Sequence, residues 1–263
     1  DALLGDARIE AISFVGSTTI AEYVYKRGTS NGKRVQALGG AKNHAVVMPD
    51  ADIEKVVAGT ISSGFSNAGQ VCISAQRIIT DRKVYADYID ALTEGVKGIS
   101  TGNPMDETVK MGPMVRPQDA VRVNEWVREA VAGGARTVIG GEYEGAIHSP
   151  TVLADVKPEM RISCDELFGP AVAVTPSSNI EEAIEMANDS NYGLSAAIFT
   201  RNIDWAMKFA REVDSGNLMI NSGPQWRADL MPYGGLKESG MGKEGPKYAV
   251  EEMTELKMVI YHP

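Results

Sequence analysis

The chain has 263 residues, of which 43% are hydrophobic and 23% are charged, proportions that are typical of a globular protein with a sizeable core. Its net charge of −9 argues against nucleic acid or an anionic membrane as a partner, and no apolar run approaches the roughly 20 residues that span a bilayer. Two cysteines are too few for a disulfide framework, so we expect a reducing compartment and a cytoplasmic location.

A strand, a glycine turn and a helix open the chain. Residues 9–15 have the pattern of a strand that ends at Gly16 and Ser17, and a helix is predicted over residues 19–27. One face of that helix carries Ile20, Tyr23 and Val24. This order of elements directs backbone N–H groups at a phosphate, although any βα unit shows it.

The middle of the chain is predicted to alternate strands and helices. Asp50 can cap a helix that starts near Ala51 and runs toward Ser66. Two amphipathic helices follow over residues 83–99 and 117–132, and the second ends at a pair of glycines, Gly133 and Gly134. The side chains predicted to face inward are Tyr85, Tyr88, Ile89, Leu92, Val96, Ile99, Val123, Trp126, Val127, Ala130 and Val131.

Further helices are predicted over residues 180–187, where Asn179 and Glu182 form a capping pair, and over residues 203–213. The predicted strands are residues 45–48, 75–80, 138–139, 196–199 and 218–221. This alternation predicts an α/β fold with an open, mainly parallel sheet and flanking helices.

The last 25 residues differ in character. Residues 240–245 are rich in glycine and predicted to be flexible, residues 248–253 are predicted to be helical, and residues 254–261 alternate enough to form a strand. Such a terminal strand either docks on its own sheet or leaves an exposed edge that another chain covers.

One cysteine, Cys72, lies at the end of a turn bounded by Gly64 and Gly69, between a hydrophobic segment and the strand predicted at residues 75–80. A thiol in this place can be both exposed and rigidly held, as a covalent nucleophile must be. Most cysteines without a disulfide are instead small buried apolar residues. The residues around Cys72 decide between these interpretations.

Four stretches resemble motifs of the aldehyde dehydrogenase superfamily, in the expected order. They are Phe14-Val15-Gly16-Ser17-Thr18, Phe65-x-x-x-Gly69-Gln70-x-Cys72, Glu166-Leu167-Phe168-Gly169-Pro170 and Pro232-Tyr233-Gly234-Gly235-Leu236-Lys237-x-Ser239-Gly240. The resemblance runs from about Ile12 to the last residue and is to the C-terminal, catalytic half of that family. Each motif alone is of moderate specificity, and four in order make chance an unconvincing explanation.

The resemblance implies a chain that begins midway through the family's length. Residues 1–40 would be the remnant of a nucleotide-binding lobe, residues 41–231 the catalytic domain, and residues 232–263 a return segment and an oligomerisation arm. The terminal strand would then join a neighbouring subunit in a homodimer or tetramer. The other expected partner is a small aldehyde, and we expect the chain to bind neither nucleic acid nor a membrane.

The resemblance also assigns roles to residues. Cys72 would be the nucleophile that forms a thiohemiacetal and then a thioester, provided that nearby backbone N–H dipoles stabilise its thiolate. Gly16 and Ser17 would contact the phosphates of NAD or NADP, Glu166 a ribose, and Phe168 the nicotinamide. Cys164 matches no motif position and is predicted to be structural, and the three scattered histidines suggest no metal site.

The sequence departs from the family at the general base. The family commonly has Glu-Leu-Gly-Gly-Lys in this region, whereas this chain has Gln36-Ala37-Leu38-Gly39-Gly40-Ala41-Lys42. Aligning on Lys42 puts Leu38 at the glutamate position, which we prefer because it needs no insertion before Cys72, and aligning on the glycines puts Ala37 there. Neither side chain can accept a proton. Because a thiol needs less help than water to attack a thioester, coenzyme A is an alternative acyl acceptor.

The segment around Leu38 resembles the methylmalonate-semialdehyde dehydrogenases, which are acylating and use coenzyme A. Two features oppose that assignment: Val71 stands where that group carries an arginine, and residues 221–253 instead resemble the lactaldehyde and non-phosphorylating glyceraldehyde-3-phosphate group. Trp226 and Arg227 either line the substrate pocket or pack within a loop. Three functions stay open: an NAD(P)-dependent aldehyde dehydrogenase, a CoA-acylating semialdehyde dehydrogenase, and a non-catalytic scaffold of the same fold.

Overall fold

The computed structural model describes all residues from Asp1 to Pro263 and contains both helices and strands along its whole length. The helices are α1 Ala2–Gly5, α2 Thr18–Ser30, α3 Ile53–Phe65, α4 Tyr85–Lys97, α5 Pro117–Ala132, α6 Arg161–Cys164, α7 Ile180–Asn188, α8 Ile203–Glu212 and α9 Pro246–Met253. The strands are β1 Ala11–Val15, β2 Arg34–Leu38, β3 Asn43–Val47, β4 Ala75–Asp81, β5 Arg136–Ile139, β6 Tyr143–Glu144, β7 Ile147–His148, β8 Thr151–Ala154, β9 Ala171–Ser177, β10 Tyr192–Gly193, β11 Ser195–Phe199, β12 Asn217–Ile220, β13 Leu236–Lys237 and β14 Gly240–Met241. None of the helices is both long and apolar enough to cross a membrane.

The chain divides into two compact units. The larger unit comprises residues 41–226, and the smaller one combines residues 1–40 with residues 227–263.

A seven-stranded sheet forms the larger unit, with the strand order β12-β11-β3-β4-β9-β8-β5. Every neighbouring pair is parallel except β5 with β8, which is antiparallel at one edge. This arrangement confirms the predicted α/β fold with an open, mainly parallel sheet.

Helices cover both faces of this sheet, and the alternation of side chains along β3 shows how. Ala45 and Val47 pack into one core cluster with residues of α3, α4 and α5, whereas Val46 and Met48 pack into a second cluster with residues of α7 and α8. Successive strand residues point to opposite faces, so a strand buried on both sides is apolar throughout.

The cap of α3 differs from the prediction. Asp52 is the N-cap, and its carboxylate accepts a hydrogen bond from the Lys55 N–H at 3.3 Å. Asp50 instead accepts hydrogen bonds from Thr200 Oγ1 and the Arg201 N–H, each at 2.8 Å. The reason is a turn closed by the Ala51 N–H on the Met48 carbonyl, which delays the start of the helix to Ile53.

Three apolar side chains of the predicted helix faces are exposed, and one of them, Val131, was predicted to face inward. Val131 is 43% exposed and lines a shallow groove together with Gly140 and Gly141. Ile20 and Tyr23 are both about half exposed. The buried face of α2 is formed instead by small residues and a valine: Ala21, Val24 and Gly28.

The smaller unit contains a three-stranded sheet in the order β1-β2-β14. β1 and β2 are parallel, and β14 pairs antiparallel to β2, with Gly240 opposite Leu38. Residues 240–245, predicted to be flexible, therefore include a short strand. Gly240 can take this place because its φ of +111° is open to glycine and an added Cβ would lie 2.3 Å from the Ala37 carbonyl oxygen.

The strand predicted at residues 254–261 does not form within this chain. The segment after α9 has no regular secondary structure, and Leu256, Met258, Val259, Ile260 and Tyr261 are each more than 70% exposed. A strand needs a neighbour to accept and donate its backbone hydrogen bonds, and none of the chain's other strands pairs with this segment.

Candidate active site

The turn that carries Cys72 has an unusual backbone. Helix α3 ends at Phe65, and a 3-10 turn follows over Ser66–Gly69. In this turn Asn67, Ala68 and Gly69 have φ angles of +51°, +54° and +67°. L-residues avoid this left-handed region, so three in succession persist only where surrounding contacts hold them.

Side-chain amides supply part of that support. The Gln70 side chain donates to the Asn67 carbonyl at 3.1 Å and accepts from the Val115 N–H at 2.9 Å. The Asn43 side chain, on β3, donates to the backbone carbonyl of Cys72 at 2.7 Å and to that of Ser74 at 2.9 Å. The backbone before the Cys72 thiol is therefore tied to Val115, and the backbone at and after Cys72 is tied to β3.

Cys72 itself is half-buried, and neither cysteine forms a disulfide. A rigid backbone with a partly accessible thiol is the arrangement that nucleophilic attack on a bound carbonyl requires.

The Glu166–Pro170 segment lies directly against this turn. An added Cβ on Gly69 would be 2.1 Å from the Gly169 carbonyl oxygen, so the two backbones are in contact. The family motif around Cys72 and the family motif around Phe168 thus meet, although almost 100 residues separate them in sequence.

We predict that Gly69→Ala disrupts this contact. The new methyl group must displace a backbone carbonyl that cannot move alone, at a φ that already disfavours alanine, so we expect a loss of stability of at least about 2 kcal/mol and slower alkylation of Cys72 by iodoacetamide. Gly145→Ala is the matched control: its φ is +57°, and nothing lies within 4 Å of the added Cβ. Urea unfolding and mass spectrometry of the labelled protein measure both effects. Equal losses of stability and of the Cys72 alkylation rate in the two variants would contradict the role assigned to the Gly169 contact.

Glu166 and Phe168 are held by their backbone neighbours. The Ala41 N–H donates to Glu166 Oε1 at 2.9 Å, and burial raises the pKa of the Glu166 carboxyl above its usual value. Arg122, on α5, donates to the Leu167 carbonyl at 2.5 Å and to the Phe168 carbonyl at 3.4 Å. Phe168 has a φ of +49° and its ring is 37% exposed, so the ring faces partly outward from a strained backbone that Arg122 fixes.

Lys42 lies close enough to Glu166 for their charges to interact, and it is buried. Burial, with a smaller contribution from the nearby Arg77 guanidinium, lowers the pKa of Lys42 to about 7. Its ammonium donates to Gln76 Oε1 at 3.0 Å. An uncompensated buried charge is costly, which explains why this lysine titrates near neutrality.

Gly16 and Ser17 lie in the smaller unit, between β1 and α2. The Gly16 N–H donates to the Leu38 carbonyl at 3.1 Å, and Ser17 is the N-cap of α2 without a side-chain cap hydrogen bond. The start of α2 thus presents the backbone geometry that can accept an anion.

Leu38 also lies in the smaller unit, as the last residue of β2. It is 4% exposed, and no aspartate or glutamate occurs between Ser30 and Pro49. Ala37, which the other alignment puts at the base position, is 2% exposed, so both candidate positions carry buried aliphatic side chains.

The two candidate substrate residues have different surroundings. Trp226, at the end of the larger unit, is 57% exposed. Arg227 belongs to the smaller unit, where its guanidinium lies 3.0 Å from the Glu244 carboxylate and 4.0 Å above the centre of the Tyr233 ring. The ion pair and the ring contact satisfy this arginine within its own unit.

The larger unit brings Cys72, Glu166 and Phe168 together, whereas Gly16, Ser17 and Leu38 belong to the smaller unit. Three residues that contact the site were not predicted from the sequence: Asn43, Gln76 and Arg122. Their sequence neighbours give no clear signal, since Asn43 and Gln76 are each followed by another polar residue and Arg122 lies in an amphipathic helix with several charged residues.

Comparisons with known proteins agree with one another. The sequence model of the aldehyde dehydrogenase family matches residues 1–259. The 3-sulfolactaldehyde dehydrogenase of Priestia megaterium is 43% identical over 258 residues, which are 98% of this chain and 54% of the relative. The lactaldehyde dehydrogenase of Methanococcus vannielii is 38% identical over 262 residues, which are 100% of this chain and 56% of the relative.

Solved structures show the same similarity. The glyceraldehyde-3-phosphate dehydrogenase GapN of Methanocaldococcus jannaschii, complexed with NADP, superposes with a TM-score of 0.93 at 34% identity over 97% of this chain and 55% of that one. A putative methylmalonate-semialdehyde dehydrogenase of Sinorhizobium meliloti, complexed with NAD, superposes with a TM-score of 0.93 at 32% identity. The match covers 97% of this chain and 54% of that one. The chain therefore spans about half the length of the relatives it matches.

Proposed function

The chain belongs to the aldehyde dehydrogenase family, and from that premise we propose that it supplies the nucleophile and part of the cofactor site of an enzyme that oxidises a small aldehyde with NAD or NADP. The observation that carries this proposal is the contact between the Cys72 turn and the Glu166–Pro170 segment, where an added Cβ on Gly69 would meet the Gly169 carbonyl at 2.1 Å. By the complete enzyme we mean a protein of the relatives' full length that contains this chain.

In the proposed mechanism the Cys72 thiolate adds to the aldehyde carbonyl and forms a tetrahedral thiohemiacetal. Its oxygen carries the developing negative charge, which backbone N–H groups of the turn would stabilise. The hydride of the former aldehyde carbon then leaves, and the carbon becomes a thioester of Cys72. A second nucleophile attacks that thioester, releases the acyl group and restores the thiol.

The residues around Glu166 fit a dinucleotide cofactor, which when bound accepts the hydride. The Glu166 carboxylate uses Oε1 for the Ala41 N–H, which leaves Oε2 to accept from a hydroxyl group. The partly exposed ring of Phe168 offers a flat apolar surface at the same place. Gly16 and the N-cap Ser17 would contact the phosphates at the start of α2, where the N–H groups of the first helical turn would donate, since the Gly16 N–H is bonded to the Leu38 carbonyl.

The residue at position 38 bears on which molecule accepts the acyl group. Without a carboxylate there, water lacks the general base that it needs, so coenzyme A is our alternative acceptor. A CoA-acylating semialdehyde dehydrogenase is thus the second candidate function, favoured by the absence of acidic residues between Ser30 and Pro49.

We propose a small 2-hydroxyaldehyde as the substrate. Two relatives are described as dehydrogenases of lactaldehyde and 3-sulfolactaldehyde, which share a hydroxyl group next to the aldehyde. Val71, which precedes the nucleophile, offers no charge for a carboxylate of methylmalonate semialdehyde. Trp226, which is more than half exposed, and Arg227 are the candidate substrate contacts.

We also propose a homodimer or tetramer held by the segment after α9. Five large apolar side chains of this segment are exposed, and its extended backbone has hydrogen-bonding groups that a strand of a second subunit can satisfy.

The proposed division of labour predicts that this 263-residue chain alone does not oxidise an aldehyde at a useful rate. Glu166 and Phe168 cannot hold a dinucleotide by themselves, so we expect less than about 1% of the NAD(P)H formation of the complete enzyme with lactaldehyde, with or without coenzyme A. A rate of NAD(P)H formation by the 263-residue chain within tenfold of that of the complete enzyme would contradict the prediction. A complete enzyme that forms neither NAD(P)H nor an acyl-thioester would instead favour the non-catalytic scaffold.

A further inference from the structure

We propose that Gln76 is a positioning residue, which sets the place of the Glu166 carboxylate and thereby the affinity for the dinucleotide. This inference rests on the proposed function, because it assumes that Glu166 contacts the cofactor. The family motifs do not include Gln76, and the proposal depends on contacts within the larger unit.

The side chain of Gln76 joins three parts of the chain. Gln76 lies on β4, four residues after Cys72, and is 1% exposed. Its Oε1 accepts from Lys42 Nζ at 3.0 Å and from the Leu167 N–H at 2.8 Å. Its Nε2 donates to the Ala41 carbonyl at 3.2 Å.

Two of these contacts end next to the same carboxylate. Ala41, whose carbonyl accepts from Gln76, donates its own N–H to Glu166 Oε1. Leu167, whose N–H donates to Gln76, follows Glu166 directly. Gln76 therefore holds both the residue that binds the Glu166 side chain and the residue that continues its backbone.

A polar side chain at this position is not needed for packing. The other residues of β4 include Ile78 and Ile79, which are fully buried, and an apolar residue of similar length would fill the same volume. Burying an amide costs free energy unless it is hydrogen-bonded, and Gln76 forms three hydrogen bonds. The polar contacts, and not the volume, therefore distinguish glutamine at this site.

A simpler alternative is that the only role of Gln76 is to accept a hydrogen bond from the buried ammonium of Lys42. That role would affect stability alone. The positioning role predicts in addition a change in cofactor affinity that depends on the presence of the Glu166 carboxylate, so the two roles separate experimentally.

The test is a double-mutant cycle in the complete enzyme, with the dissociation constant of NAD or NADP as the measurement. Gln76→Met keeps the length of the side chain and removes its hydrogen bonds, so we expect the dissociation constant to rise about tenfold. In the background of Glu166→Ala the same substitution should change it less than twofold, since the carboxylate that it positions is gone. The rate of Cys72 alkylation without cofactor should stay unchanged.

Thr80→Val is the matched control. Thr80 is fully buried on the same face of β4 as Gln76, and its hydroxyl forms no hydrogen bond to the Glu166 segment or to any other group. We expect this variant to bind the cofactor within twofold of the wild type. If Gln76→Met does not fold, Gln76→Glu enters the same cycle: it keeps the acceptor and loses the donation to Ala41, with an expected rise of about threefold.

Additive effects of the Gln76 and Glu166 substitutions would overturn this inference and leave the proposed function intact. So would an unchanged dissociation constant in a folded Gln76→Met variant, or an equal rise in Thr80→Val. A wild-type complete enzyme that binds neither NAD nor NADP would overturn both.

Discussion

Replacing Cys72 with alanine is expected to lower aldehyde-dependent NAD(P)H formation by the complete enzyme by about four orders of magnitude or more. Cys72 combines a nucleophilic atom with a backbone that is hydrogen-bonded on both sides, and loss of a covalent nucleophile typically removes most of an enzyme's rate acceleration. Steady-state rates and the initial burst of NAD(P)H measure the effect. The fold should survive, because alanine fills most of the space of a small half-buried residue.

Cys164→Ala is the control, and it should retain at least half of the activity. Cys164 is exposed at the end of α6, its thiol donates to the Pro158 carbonyl at 3.1 Å, and desolvation raises the pKa of that thiol, which lowers its thiolate fraction. Iodoacetamide should accordingly modify Cys72 first in the folded protein. Equal labelling of both cysteines, or comparable losses of activity in both variants, would contradict the assignment of Cys72 as the nucleophile.

The sequence predicted the sheet because its strands alternate with periodic helices, and α5 has the predicted bounds. It did not predict β8 and β9, which lie side by side within the sheet. Thr151–Ala154 has only four residues, and Ala171–Ser177 contains Pro176, so neither run carries a clear strand signal. Their apolar character comes from burial on both faces, which a periodicity of two does not reveal.

The candidate site was predictable only where the family motifs reach. Gln76 and Leu167 are 91 residues apart, and Arg122 and Leu167 are 45 residues apart, so their hydrogen bonds depend on how the sheet folds. The three successive left-handed residues before Gln70 were likewise invisible, because asparagine and alanine do not require that conformation. The prediction of a strand at residues 254–261 was wrong for another reason. The residue pattern was typical of a strand, but a strand also needs a neighbouring strand to pair with, and the pattern does not show whether one is present.

The second large effect concerns the release of the acyl group. Leu38 is buried at the end of β2, and if it stands where the family carries its general base, water should release the acyl group slowly in the complete enzyme. Loss of a general base typically costs about 10² to 10⁴ in rate. Single-turnover kinetics should therefore show a burst of one NAD(P)H per site and then a slow phase, which coenzyme A should accelerate because a thiolate attacks without a base held by the protein.

Leu38→Glu is expected to raise turnover in water, in the absence of coenzyme A, by about tenfold or more, provided that the side chain reaches the thioester. Ala37→Glu is the matched comparison, because it tests the other alignment. Adjacent strand residues point to opposite faces, so the two glutamates cannot both face the same site, and both replace buried apolar residues of β2. A rate increase in Leu38→Glu alone supports the preferred alignment, and an increase in Ala37→Glu alone supports the other one.

Rapid turnover of the wild-type complete enzyme in water, with no burst and no effect of coenzyme A, would show that another group serves as the base. Glu166 is the carboxylate of the larger unit that this outcome would implicate, because burial raises its pKa toward the range in which a carboxylate can take up a proton. Glu166→Gln would then block release of the acyl group and produce a burst of NAD(P)H that the wild type lacks. If Glu166 acts only on the cofactor, the same variant should weaken cofactor binding and leave the rate of turnover in water unchanged at saturating NAD(P).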